Sequence, residues 1–127
     1  MPAYLISICR GVTDRVKLEQ YWAHSRPTFE GFNAQLLAVY TQVKPLEAGG
    51  PVEGVVLVEF PSMESATRWY ESPAYQEVRK YRIGAAEFEI ILVDGGLVDA
   101  KDRMPGVGTK AKPASIPIEN LDASNDE

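Results

Sequence analysis

The stretch GVVLVEFPSMESATRWYESPAYQEVRKYR, residues 54–82, carries the pattern that decides the fold. Its first seven residues are a near-continuous apolar run of the kind found in central strands. Ser62 is a preferred residue for the start of a helix, and that helix is predicted to extend through Tyr70. Ser72 and Pro73 predict a second short helix, because serine suits the cap and proline suits the first helical position.

The flanking sequence predicts three further strands and one further helix. The strands are Tyr4 to Arg10, Gln35 to Val43 and Glu87 to Val93, each rich in β-branched or aromatic residues. The helix is predicted to begin at Thr13 or Asp14, whose side chains can cap it, and to kink near Pro27, which has no N–H group. The resulting order, β-α-β-β-α-β, is typical of an α+β ferredoxin-like fold, with a four-stranded antiparallel sheet and both helices on one face.

The other face of this sheet is predicted to be a dimer interface. Successive strand residues point to opposite faces, and Val55 to Val58 are apolar in both directions. A monomer would therefore expose a sizeable apolar patch. Pairing of two sheets face to face removes that patch, so the chain is expected to form a homodimer through the helix-free face.

Composition and charge exclude several classes of protein. The net charge of -5 and the pI near 4.9 disfavour binding to nucleic acid or to an anionic membrane, which requires clustered basic residues. The chain has one cysteine, Cys9, so no intramolecular disulfide can form. Neither a signal peptide nor a membrane span is apparent in the sequence. A cytoplasmic protein is expected.

The domain is predicted to end near residue 96. Residues 97–127 contain no aromatic side chain and are rich in proline, glycine, serine and charge, which indicates a disordered or extended tail. Within it, the segment from Ser115 to Leu121 is a candidate arm that docks on a partner protein or on the sister subunit.

Two segments, EFPSMESATRWYESPAYQEVRKYR (Glu59 to Arg82) and EIILVDG (Glu89 to Gly95), resemble the bacterial proteins grouped as domain of unknown function family 1330, within the dimeric α/β-barrel superfamily. The resemblance covers about residues 3–95 and implies a ferredoxin-like fold and a dimer whose two sheets form a barrel. It implies no particular reaction, because the superfamily hosts cofactor-free monooxygenases, muconolactone isomerase, haem-degrading enzymes and chlorite dismutases.

No cofactor or metal is expected. One cysteine and one histidine do not make a zinc ligand set. The sequence GGPVEG at 49–54 lies in a turn rather than between a strand and a helix, so it does not predict a phosphate-binding loop. Packing is the expected role of Cys9.

Aromatic residues predict a pocket between the sheet and its helices, a place where a small apolar ligand can bind. Those chosen as substrate-binding candidates are Tyr40, Trp69, Tyr70 and Tyr75. Aromatic residues at helical spacing also form ordinary cores, so core packing is the alternative interpretation of all of them.

Three residues are candidates for catalysis. Arg82 follows Tyr75 by seven positions on the last helix and is expected to hold a ligand carboxylate, or else to lie on a solvated face of the helix or to form a structural ion pair. Glu59 ends the central strand, where burial would favour its protonated form and suit it to proton transfer; a structural ion pair is the alternative. His24 is the only histidine and suits acid–base chemistry, although its helical angle also fits an exposed, hydrogen-bonded residue.

The sequence and the resemblance are compatible with three functions. The first is a cofactor-independent enzyme that acts on a small hydrophobic or aromatic, carboxylate-bearing metabolite by proton transfer, as an isomerase, a lactone-processing enzyme or a monooxygenase. The second is a non-catalytic dimeric module that binds a small molecule or a protein. The third, which the resemblance suggests, is a haem-binding protein with His24 as the ligand.

Overall fold

The computed structural model describes residues 1–98, and its elements follow the predicted order. They are β1 (Ala3–Val12), α1 (Arg15–Ser25), a 3-10 helix (Arg26–Phe29), β2 (Gln35–Val39), β3 (Gly54–Phe60), α2 (Met63–Glu71), α3 (Pro73–Arg82) and β4 (Ala86–Asp94). The strands form one antiparallel sheet in the order β2-β3-β1-β4, and the helices cover one of its faces. The predicted α+β ferredoxin-like fold is confirmed.

Alternation along β1 separates the two faces of the sheet. Leu5, Ser7 and Cys9 are buried towards the helices, whereas Ile6 and Ile8 point to the helix-free face and are only half-buried. The core lies on the helix side. Its buried cluster consists of Ala3, Leu5, Val58, Phe60, Ala66, Trp69 and Tyr75.

Side-chain caps set the helix boundaries at the predicted positions. The backbone N–H of Lys17 donates to Asp14 Oδ1 at 3.1 Å, which starts α1. Ser72 has two roles, because its hydroxyl accepts from the N–H of Tyr75 at 3.2 Å and donates to the carbonyl of Trp69 at 2.7 Å. That single residue ends α2 and starts α3, and so fixes the angle between the two helices.

The predicted kink before Pro27 is also present, since α1 ends at Ser25 and the chain continues as the 3-10 helix. Thr28 holds this segment in place. Its Oγ1 donates to the carbonyl of Ser25 and accepts the indole N–H of Trp69 at 3.0 Å. The 3-10 helix is therefore tied to α2.

The prediction that the second strand extends to Val43 is wrong, because β2 ends at Val39. The next residue, Tyr40, has a φ of 53°, a left-handed conformation that cannot continue a strand. A β-carbon added to Gly54 would overlap the Tyr40 ring, so the ring lies directly over the glycine backbone of β3. The strand ends where this ring crosses the sheet.

Residues Met1–Gly95 form one compact unit. The tail predicted for residues 97–127, including the segment from Ser115 to Leu121, lies outside the described residues from position 99 onward. Across residues 1–98, no helix combines the length and the apolar character that a membrane span needs.

Candidate functional site

A cleft of about 480 Å³ lies between the helix-covered face of the sheet and the layer formed by α1 and the 3-10 helix. This volume is within the range of small-molecule sites in proteins. The residues that line it are Leu5, Ser7, Arg15, Tyr21, Trp22, Ser25, Arg26, Phe29, Leu36, Val39, Tyr40, Val56, Trp69, Tyr75, Phe88 and Ile90.

Apolar and aromatic side chains form most of the lining. The sheet contributes a floor that includes Val56 and Ile90, which flank Ser7 on the two neighbouring strands. Trp69 and Tyr75 close one side, with their ring centroids 4.3 Å apart. A flat apolar ligand is the kind of molecule that such walls accommodate, because it can contact rings on several sides.

Two cations lie where the cleft opens to solvent. Arg15 and Arg26 are exposed members of the lining, and neither an acidic residue nor a histidine accompanies them among the described lining residues. The Arg15 guanidinium lies 5.2 Å from the centroid of the Trp22 ring, and its Nε is 3.4 Å from Oε2 of the exposed Glu19. Arg26 makes no hydrogen bond or ion pair within residues 1–98. Glu19 therefore offsets the charge of Arg15 in part, whereas Arg26 leaves a positive charge without an acidic partner in residues 1–98 at the opening.

A pair of tyrosine hydroxyls faces the same space. The hydroxyls of Tyr21 and Tyr75 hydrogen-bond to each other at 2.9 Å, and both residues line the cleft. Burial, followed by the proximity of Tyr75, raises the pKa of the Tyr21 hydroxyl, so that this group stays protonated at neutral pH. The pair can donate a hydrogen bond to a ligand oxygen, but it does not supply a phenolate base.

Tyr40 also lines the cleft, and contacts with two neighbouring residues fix the position of its ring. Its ring crosses Gly54 and meets the Trp22 ring nearly edge-on, with centroids 4.8 Å apart. Burial is the largest cause that raises the pKa of the Tyr40 hydroxyl, and nearby Cys9 adds to it. Burial also raises the pKa of the Cys9 thiol, which agrees with a packing role for this residue.

Of the four predicted substrate-binding residues, Tyr40, Trp69 and Tyr75 line the cleft. Tyr70 does not belong to the lining. It packs behind the cleft, with its ring centroid 6.3 Å from that of Trp69 and 5.5 Å from that of Tyr75.

The three predicted catalytic residues are not brought together. Arg82 is buried behind the cleft wall, where its guanidinium lies 5.9 Å from the Tyr21 ring centroid and 5.3 Å from that of Phe88. Both rings line the cleft, so Arg82 contacts its wall and not its interior. Within residues 1–98 it forms no ion pair, in contrast to the alternative considered from the sequence.

His24 and Glu59 lie away from the cleft. His24 is exposed on α1, donates from Nδ1 to the carbonyl of Gln20 at 2.8 Å and stacks on Tyr81 with the ring centroids 5.1 Å apart. Glu59 is on the helix-free face, paired across the strands with Tyr4 and Gln35. Glu59 faces this side because side chains alternate along β3, and the buried Val58 and Phe60 on either side of it point to the helices.

Sequence reasoning did not single out several lining residues, among them the polar Ser7, Arg15 and Arg26. Arg15 precedes Trp22 by seven positions and so shares its helix face, which was a usable indication. Ser7 interrupts the apolar run of the first strand, and this too was visible in the sequence. Arg26 gave no such indication, because its position depends on the turn that follows α1.

No metal site is found in the part of the chain that the structure describes, where no three His, Cys, Asp or Glu side chains converge.

The sheet order, the helical layer on one face and the apolar cleft between them together define a ferredoxin-like α+β protein. The chain belongs to the family described as domain of unknown function (DUF1330), whose model matches residues 2–96. None of the curated proteins is similar enough to match.

Solved structures share the fold at low sequence identity. The RPA0582 protein of unknown function from Rhodopseudomonas palustris is 16% identical with a TM-score of 0.61, over 76% of this chain and 84% of that one. A dimeric protein of unknown function and ferredoxin-like fold from Bacteroides fragilis is 9% identical with a TM-score of 0.53, over 74% and 96%. SnoaB, a cofactor-independent oxygenase from Streptomyces nogalater, is 7% identical with a TM-score of 0.52, over 78% and 97%. These similarities extend to the fold alone.

Proposed function

We propose that the cleft binds a small, flat, apolar or aromatic metabolite that carries a carboxylate or a similar anionic group. The observation that carries this proposal is the pair Arg15 and Arg26 at the opening of an apolar cleft whose described lining has no acidic residue. An arginine can hold a carboxylate with two parallel hydrogen bonds, while the aromatic walls contact the body of the ligand.

We also propose that the protein acts on this metabolite without a cofactor, by stabilising negative charge on a carbonyl oxygen. The mutual bond of the Tyr21 and Tyr75 hydroxyls leaves one O–H free to donate inside the cleft, and a fixed donor of this kind stabilises an enolate oxygen. Arg82 acts through Tyr21 as a positioning residue, because its guanidinium lies against that ring. Isomerisation, lactone chemistry and oxygen insertion into an electron-rich ring can all proceed through such an anion, with water at the cleft opening as the proton acceptor and, for oxygen insertion, dioxygen as the oxidant. His24 and Glu59 have no role in this proposal.

The rival function is a non-catalytic binding module. It is favoured by the absence of a carboxylate or imidazole base among the described lining residues. The two functions differ in one observable. An enzyme converts a bound metabolite to product and loses this conversion in Tyr75→Phe, whereas a binding module leaves every bound metabolite unchanged.

Homodimer formation through the helix-free face is part of the same proposal. The side chains on this face are mainly apolar, and Ile91 and Val93 remain 55% and 44% exposed in the single chain. Ile6 lies between Leu57 and Ile91 at the centre of the face. An exposed apolar patch of this kind marks an interaction surface.

Neutralising both cleft arginines is expected to weaken the binding of an aromatic carboxylate at least about tenfold, since hydrogen bonds to charged groups contribute about 1.5–3 kcal/mol. The test is calorimetric titration of wild type and of Arg15→Gln/Arg26→Gln with 2-naphthoate, in low-salt buffer. Neutral 2-naphthamide is the matched ligand, and its affinity is expected to change less than about twofold.

Arg68→Gln is the matched control variant, because Arg68 pairs with Glu64 on the exposed side of α2, outside the cleft. It is expected to bind 2-naphthoate like wild type. The proposal is contradicted if the cleft variant and the control lose affinity equally, or if naphthoate and naphthamide are affected alike.

A further inference from the structure

The floor of the cleft contains one polar side chain, Ser7 of β1. On the same face of the sheet its neighbours across the strands are Val56 and Ile90, and Leu5 precedes it. Ser7 is 7% exposed, and its hydroxyl makes no hydrogen bond with any residue in 1–98. It is thus the hydroxyl of a largely buried residue that has no protein partner and faces the apolar cleft.

The other hydroxyls of the described lining are engaged or inaccessible, apart from the one O–H that the Tyr21–Tyr75 pair leaves free. Those of Tyr21 and Tyr75 bond to each other, and Ser25 donates to the carbonyl of Trp22 at 3.3 Å. The Tyr40 hydroxyl is fully buried and is not open to a ligand. Ser7 is therefore the hydroxyl on the floor of the cleft that is open to a ligand and has no protein partner within residues 1–98.

Protein stability alone does not explain a serine at this position. Serine is a poorer strand former than the valines and isoleucines around it, and its hydroxyl adds no contact to the apolar side chains of the floor. A residue that is unfavourable for folding and open to the cleft is suited to contact the ligand.

We infer that Ser7 is a specificity-determining residue that forms a hydrogen bond with a hydroxyl or keto oxygen on the ring of the ligand. This inference rests on the proposed function, because it concerns the same cleft. Arg15 and Arg26 are exposed at the opening, whereas Ser7 lies at the buried floor, so the ring oxygen and the anionic group are separate groups of the ligand. A serine hydroxyl donates and accepts, so it fits either oxygen function. The ligand class is a hydroxylated or keto-substituted aromatic or alicyclic acid.

The test compares 2-naphthoate with its 3-, 6- and 7-hydroxy derivatives by calorimetric titration of wild type, Ser7→Ala and Ser65→Ala. Ser65 is a matched control, since it is also 7% exposed but lies outside the cleft and donates to the carbonyl of Phe32. Wild type is expected to prefer the best hydroxylated derivative by about fivefold, the effect of one hydrogen bond.

Ser7→Ala is expected to lose this preference while its affinity for 2-naphthoate stays within about twofold of wild type. Ser65→Ala is expected to keep the preference. If 2-naphthoate binds wild type but the preference is absent, or if it persists in Ser7→Ala, the role of Ser7 is refuted and the proposed function stands. If none of the four acids binds wild type, both the proposed function and this inference are overturned.

Discussion

Ile6→Asp is expected to convert the proposed homodimer to a monomer. In a two-fold symmetric interface the substitution places two carboxylates at the centre of an apolar contact, where an unpaired buried charge costs several kcal/mol. Ile6 is suited to this test because Leu57 and Ile91 flank it on the helix-free face and no cleft residue is changed. Sedimentation velocity at micromolar concentration measures the outcome against the chain mass of 14.0 kDa.

Val16→Asp is the matched control for this variant. Val16 is 71% exposed on α1, on the opposite side of the sheet, so the same substitution there is expected to leave the dimer intact. Far-UV circular dichroism separates dissociation from unfolding. If Ile6→Asp does not fold, Ile91→Glu at an exposed position of the edge strand tests the same face. A wild-type chain that sediments as a monomer, or folded variants that remain dimeric, would exclude this interface.

Trp69→Ala is expected to lower the free energy of unfolding by about 3–5 kcal/mol, the usual cost of removing a large buried aromatic side chain. Trp69 is 2% exposed, stacks on Phe29 with ring centroids 4.8 Å apart and donates its indole N–H to Thr28. It connects α2, the 3-10 helix and the cleft wall, so its loss weakens all three. Urea unfolding followed by circular dichroism measures the change.

Two further variants separate the hydrogen bond of the Trp69 indole from the packing of its ring in the change in unfolding free energy. Thr28→Val leaves the indole N–H without its partner and is expected to cost about 1–3 kcal/mol. Tyr70→Phe changes the adjacent aromatic residue, whose hydroxyl makes no hydrogen bond within residues 1–98, and is expected to stay within about 0.5 kcal/mol of wild type. A loss of less than about 1 kcal/mol in Trp69→Ala would contradict the central position given to this side chain.

The fold could be predicted because its determinants are local. Proline at position 27, serine at 62 and the Ser72-Pro73 pair each fix a helix boundary through their own backbone and side-chain chemistry. The end of β2 could not be predicted. It depends on the Tyr40 ring, which crosses Gly54 on the neighbouring strand, and this is a contact between residues distant in sequence.

The site was predictable only in part, for two physical reasons. The run from Val55 to Val58 is apolar at every position, so it does not reveal which residues face the helices, and the face occupied by Glu59 could not be read from it. The cleft arginines depend on tertiary structure. Arg26 takes its position from the 3-10 helix, which Thr28 anchors to Trp69, 41 residues further along the chain.

A crystal structure of the protein with 2-naphthoate would show whether the cleft binds aromatic anions. The ring is expected between Trp22 and the floor formed by Val56 and Ile90, with the carboxylate about 3 Å from the guanidinium of Arg15 or Arg26. Naphthoate bound elsewhere, such as on the helix-free face, with only water in the cleft, would contradict a binding site for aromatic anions at this position.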